Sequence, residues 1–117
     1  MMKYEKKQLK WHVGLCNGRH ELKTNDGELL KNFIFPEPVD DPLDFSHFRQ
    51  VCGKWIEERD WIFAPDHSTH LYLYVTGLTP LLTAFLSCWV RLTACKRTLI
   101  LMHYNIESGD YEEERWP

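Results

Sequence analysis

The stretch Thr69-His70-Leu71-Tyr72-Leu73-Tyr74-Val75-Thr76-Gly77-Leu78-Thr79-Pro80 decides how this chain folds. Its first seven residues form a continuous apolar and aromatic run, the pattern of a strand covered on both faces, and such strands are usually central and parallel. Thr76 to Pro80 then ends it: glycine breaks the strand, Thr79 can cap a helix, and Pro80 fits the first turn. Leu81, Leu82, Ala84, Phe85, Leu86, Cys88, Trp89 and Val90 continue as an apolar helix whose polar stripe is Thr83, Ser87 and Arg91. At a spacing of four those three share one side. The other faces need burial against a sheet and against something else, for which a partner subunit is the natural candidate. The same reading accounts for Leu71 to Val90, a run without Asp, Glu, Lys or Arg that is long enough to span a membrane. The internal break at Thr76 to Pro80 and a mean hydropathy of −0.43 argue against a span.

Working outward, Lys10 to Cys16 is a β-compatible segment that stops at the turn pair Asn17-Gly18. Thr24 to Gly27 reads as a loop, and Phe33-Ile34-Phe35 before Pro36 as a short extended piece. Asp41 can act as N-cap with Pro42 at the first helical position, and Phe45, Phe48, Cys52, Trp55 and Ile56 recur at helical spacing, so a helix is predicted over 42–60. Thr98 to His103 is a third buried strand. Glu107-Ser108-Gly109-Asp110 can turn it into an antiparallel final strand carrying Tyr111 and Trp116. The expected fold is a single α/β domain over 1–117. It is a small Rossmann-like three-layer domain with a mainly parallel sheet, two main helices and a C-terminal β-hairpin.

A chain of 117 residues can bury one core but not two. Its formal charge is −3, but six Lys/Arg and two Glu make residues 1–25 +4 and leave −7 for the rest. That balance argues against a duplex nucleic-acid binder, which needs a basic face, and leaves a compact anionic ligand open. The N-terminal lysines have no apolar segment behind them, so no secretory signal is read and a cytoplasmic location is expected. Cys16, Cys52, Cys88 and Cys95 form no CxxC pair and read as reduced, mostly buried side chains.

In a doubly wound sheet, ligands bind outside the carboxyl ends of the parallel strands. Those ends are Asn17-Gly18-Arg19-His20, Thr76-Gly77-Leu78-Thr79-Pro80 and His103-Tyr104-Asn105. The second leaves amide groups of a helix start aimed outward with partial positive charge, which suits phosphate. Arg19 can add a bidentate cation, and His20 or His103 can donate a hydrogen bond or move a proton. Each also has a plainer role: a helix start, a solvated loop arginine, a core histidine, an aromatic that packs. His67 and His70 have zinc-like spacing but no further ligands, and neither a P-loop nor a nucleophile triad is present, so no metal and no cofactor are expected. Glu112-Glu113-Glu114 reads as a solvated end.

With the strand, the Thr76 to Pro80 turn and the apolar helix in sequence, and Arg19-His20 after the first strand, the chain resembles the CRISPR-associated Rossmann-fold group, in particular its small stand-alone proteins. The resemblance covers about half the chain. It implies a homodimer that binds a cyclic oligoadenylate second messenger across its two-fold axis, with Asn17, Gly18, Thr76, Gly77, Leu78, Thr79, His103 and Tyr104 around the ligand. Some members cleave the ring without metal, a role that falls here to Arg19 and His20. Others, including phage counter-defence sponges, only sequester it. A different class also stays open: a phage-encoded interaction module that inhibits a host defence protein, anchored by Phe45, Trp55, Trp61 and Trp116.

Overall fold

In chain order the elements are β1 (Leu9–Cys16), β2 (Phe33–Phe35), α1 (Phe45–Glu57), a 3₁₀ turn (Asp60–Phe63), β3 (Thr69–Tyr74), α2 (Thr79–Thr93), β4 (Thr98–Asn105) and β5 (Asp110–Trp116). The computed structural model describes residues 9–18, 21–63, 69–76 and 78–117. The five strands form one sheet in the order β2-β1-β3-β4-β5. β3 is central and parallel to β1 and β4, as its two-sided apolar run requires; β2 is parallel to β1, and β5 closes an antiparallel hairpin with β4.

Strand alternation divides the core in two. Val13, Leu15, Leu71, Leu73, Leu99 and Leu101 face one way and pack with Phe48, Cys52 and Ile56 of α1 and Leu81, Phe85, Cys88 and Trp89 of α2. Tyr72, Tyr74, Ile100 and Met102 face the other way, beneath Leu22 and Leu30. Both helices therefore share one face of the sheet, and the third layer is the β1–β2 connection. Leu30 N–H donates to the Leu22 carbonyl at 2.8 Å, and a Lys23–Leu29 bridge folds this segment back on itself. Gly14 lies beneath it for a steric reason. A Cβ there would sit 2.4 Å from the Phe33 ring, so only glycine lets that ring cross β1.

Two helix starts differ from the sequence reading. α1 begins at Phe45 and not at Pro42: Asp44 is its N-cap, its carboxylate accepting from His47 N–H, while Asp41 accepts from Leu43 N–H in a separate turn. Either aspartate could cap, and the one chosen starts the helix just ahead of Phe48, Cys52 and Ile56, whose stripe meets the sheet. The helix also ends at Glu57, and the rest of the predicted span becomes the link to the 3₁₀ turn. α2 has Leu78 as its extended N-cap with no side-chain cap bond, so Thr79 is the first helical residue and not the cap.

The second surface that buries α2 is α1, which removes the reason for invoking a partner subunit there. Cys88 Sγ donates to the Arg49 carbonyl at 3.4 Å, and Gly53 admits Arg91 and Cys88 against α1. Thr83, Ser87 and Arg91 form the exposed stripe as read. Leu71 to Val90 divides between a buried strand and this helix, and among the described residues no helix is long and apolar enough to cross a membrane. Cys16, Cys52 and Cys88 are buried, and Cys95 is exposed just past α2.

Candidate functional site

The carboxyl ends of β1 and β3 are tied together by one side chain. The Thr76 hydroxyl accepts from Cys16 N–H at 3.1 Å and donates to the Cys16 carbonyl at 2.8 Å. On the other flank Asn17 N–H donates to Phe35 C=O at 2.9 Å, and its side-chain amide to Pro36 C=O at 3.1 Å. Val75 N–H donates to Met102 C=O at 3.0 Å, continuing the tie to β4. Three strand ends are thereby fixed before the chain departs into loops.

Beside the Thr76 tie opens a cleft of about 210 Å³ lined by Cys16, Gly18, Glu21, Leu22, Phe33, Thr76 and Tyr111. Of the residues selected from sequence, Gly18 and Thr76 line it directly. Asn17 spends its side chain on Pro36. Leu78 and Thr79 are exposed at the start of α2, where no side chain caps the first turn. Arg19, His20 and Gly77 lie outside the described residues, as does His67. His70 sits in β3 and not on a helix, so the spacing argument for zinc lapses. Among the described residues no group of three His, Cys, Asp or Glu is arranged to hold a metal ion.

The third strand end does not converge as a unit, because consecutive strand residues point to opposite faces. Tyr104 faces the cleft side, with its ring 5.4 Å from that of Tyr111. His103 faces the helix side and is held by Glu114 at 2.9 Å across the hairpin. His103 is therefore engaged on the face away from the cleft. Sequence reasoning missed Glu21, Phe33 and Tyr111. The last was within reach, since a tight hairpin pairs Tyr104 with Tyr111 and so sets both on one face.

Burial governs the ionisable groups near the cleft. It raises the Cys16 thiol, against a backbone hydrogen bond from Val39, so this sulfur is protonated at neutral pH and is no thiolate nucleophile. Burial, then Tyr104, raises the Tyr111 hydroxyl. Tyr74 is pushed up to about 12, first by burial, and its hydroxyl lies 2.8 Å from His12 Nδ1. These groups hydrogen-bond in neutral form. At about 210 Å³ the cleft is smaller than the ~300–1,000 Å³ of ordinary small-ligand sites. Its lining is mostly apolar, and Glu21 is the one charged side chain among the described residues that line it.

Of the four sequence-selected anchors, Trp55 and Trp61 line one groove with Trp11. Phe45 lies at the start of α1 and Trp116 at the end of β5, apart from that groove. Comparison with family models, with curated proteins and with solved structures gives no match to this chain. The class defined here is therefore that of the fold and cleft: an α/β domain with a small, mostly apolar cleft beside the carboxyl ends of its parallel strands.

Proposed function

We propose that the chain binds a cyclic oligoadenylate-type second messenger across a homodimer and removes it, by sequestration or by metal-independent ring cleavage, so damping antiviral signalling of the type III CRISPR kind. The observation that supports this reading is the Thr76–Cys16 tie, beside which Gly18 and Thr76 line one cleft. Arg19 and His20 follow Gly18 directly in the chain. A cleft this small holds a fraction of a cyclic oligonucleotide, and two-fold pairing of chains supplies the remainder.

In the cleavage form, a ribose 2′-oxygen attacks the adjacent phosphorus as the bond to the leaving 5′-oxygen breaks. The product is a linear strand ending in a 2′,3′-cyclic phosphate. His20 relays the proton between the two oxygens and Arg19 neutralises the phosphorane charge. In the sequestering form the same residues only hold the phosphate. Calorimetry with cyclic oligoadenylates, followed by chromatography of the mixture, tests both. Binding with a linear product supports cleavage, and binding with intact ring supports sequestration. Absence of binding to every cyclic nucleotide overturns the reading. Arg19→Ala weakens binding, and His20→Ala slows cleavage more than it weakens binding.

A further inference from the structure

The seam between α1 and α2 carries two thiols that the cleft does not use. Cys52 is wholly buried and Cys88 is 1% exposed, and both belong to the main core. Cys88 Sγ donates to the Arg49 carbonyl at 3.4 Å and lies 3.8 Å from where a Cβ would stand on Gly53. Residues three and four apart share one face of a helix, so Arg49, Cys52 and Gly53 border a single hollow on α1. Cys88 enters that hollow from α2, and Cys52 is one of its walls. Gly53 brings no side chain to the hollow, which lets the Cys88 sulfur come down onto the α1 backbone.

The two sulfurs also act on each other. Burial first, and then Cys88, pushes the Cys52 thiol up to about 12. Cys16 lines the strand-end cleft, and Cys95 is exposed two helical turns beyond Cys88, so neither belongs to this seam.

The cover over the hollow is a side chain. Arg91 is exposed, and its Nη2 lies 3.9 Å from Cys88 Sγ and 3.6 Å from the Cβ position of Gly53. A long flexible side chain resting on a glycine moves aside without unpacking the core beneath it. Its charge faces Cys88 and so favours that sulfur as the one that attacks.

We infer that Cys52 and Cys88 are a latent disulfide, closed by exchange with a low-molecular-weight disulfide so that a covalent bridge staples α1 to α2. The Cys88 thiolate attacks one sulfur of glutathione disulfide and expels a glutathione thiolate, leaving a mixed disulfide. Cys52 gives up its proton and attacks the Cys88 sulfur, expelling the second glutathione thiolate. Two protein thiols are oxidised, and one glutathione disulfide is reduced to two thiols. The bridge is independent of the cyclic-nucleotide reading, because it lies between the helices and not at the strand-end cleft.

The test equilibrates the intact chain in glutathione redox buffers, quenches with acid, alkylates the remaining thiols and maps the peptides by mass spectrometry. A Cys52–Cys88 bridge is expected, with Tm several degrees above that of the reduced chain. Half-reduction is expected to need a buffer at least about tenfold more reducing for the native chain than for the chain unfolded in urea, because the fold holds the two sulfurs together. Cys95→Ser forms the bridge as wild type does, and Cys52→Ala forms none. The inference is overturned if no bridge forms while Cys95 takes up glutathione, if Cys88 pairs with another cysteine, or if the bridge is no harder to reduce in the native chain than in urea.

Discussion

The Thr76 hydroxyl replaces a rung of the β1–β3 ladder. The parallel register ends at Gly14 opposite Tyr74, and two residues further on the same register sets Cys16 opposite Thr76. There the side chain of Thr76, and not its backbone, engages both the N–H and the C=O of Cys16. The ladder is completed while the Thr76 backbone is left to turn toward α2.

Removing that hydroxyl leaves two groups of a buried residue unsatisfied. Thr76→Val lowers unfolding stability by about 1–3 kcal/mol, and Thr76→Ser recovers most of it. Urea denaturation of the three proteins checks this. Equal stability of wild type and Thr76→Val would show that the tie contributes nothing.

Gly14→Ala forces a Cβ into the Phe33 ring, at a present separation of 2.4 Å. The overpacking costs about 1–3 kcal/mol. In the Phe33→Leu background the same change costs less, because the ring is gone. A thermal-denaturation double-mutant cycle measures the coupling, and strict additivity would contradict the account.

How far the fold is legible follows from which forces are local. The β3–α2 unit reads directly, because a two-sided apolar strand followed by Thr76 to Pro80 admits few alternatives. The start of α1 does not, since Asp41 and Asp44 are both able to cap and the choice rests on where Phe48, Cys52 and Ile56 reach the sheet. The third layer is less visible still. Leu22 and Leu30 look like loop leucines until Tyr72, Tyr74, Ile100 and Met102 are placed beneath them. The same holds for the site: Gly18 and Thr76 are readable from strand ends, whereas Phe33 enters the cleft only through the non-local pairing of β2 with β1. His103 misleads because one residue of register decides which face of β4 it joins.

The pH dependence of stability carries a sign. Burial first, and then the Lys10 charge, hold His12 below its ordinary 6.5, against the opposing pull of Asp26, Glu28 and Glu113. The unfolded chain therefore binds this proton more readily than the folded one. The stability His12 contributes is complete above about pH 6.5 and is lost as pH falls below it toward the folded value. His70, lowered by burial, Arg115 and Lys10, acts in the same direction. Urea midpoints measured at pH 5.5 and 7.5 fall on acidification, and the fall is smaller in His12→Gln, which retains a hydrogen-bonding group for Tyr74. An unchanged pH slope in that variant would remove His12 as a source.

α2 ends on two successive residues with positive φ, Ala94 at 52° and Cys95 at 57°. A left-handed non-glycine residue costs ~1–2 kcal/mol, and glycine removes that cost while loosening the unfolded chain by ~0.4–1 kcal/mol. Ala94→Gly therefore stabilises by up to about 1 kcal/mol, read as a rise of a few degrees in Tm by calorimetry. A lower Tm would mean that the turn is not strained.

The central claim, that the cleft tied by Thr76 and Cys16 receives a cyclic oligoadenylate, is tested most directly by isothermal titration of the intact chain with such rings. The account predicts saturable heat at one ring per two chains, weakened in Arg19→Ala and in Thr76→Val. No heat with any ring size, or binding indifferent to both substitutions, would contradict it.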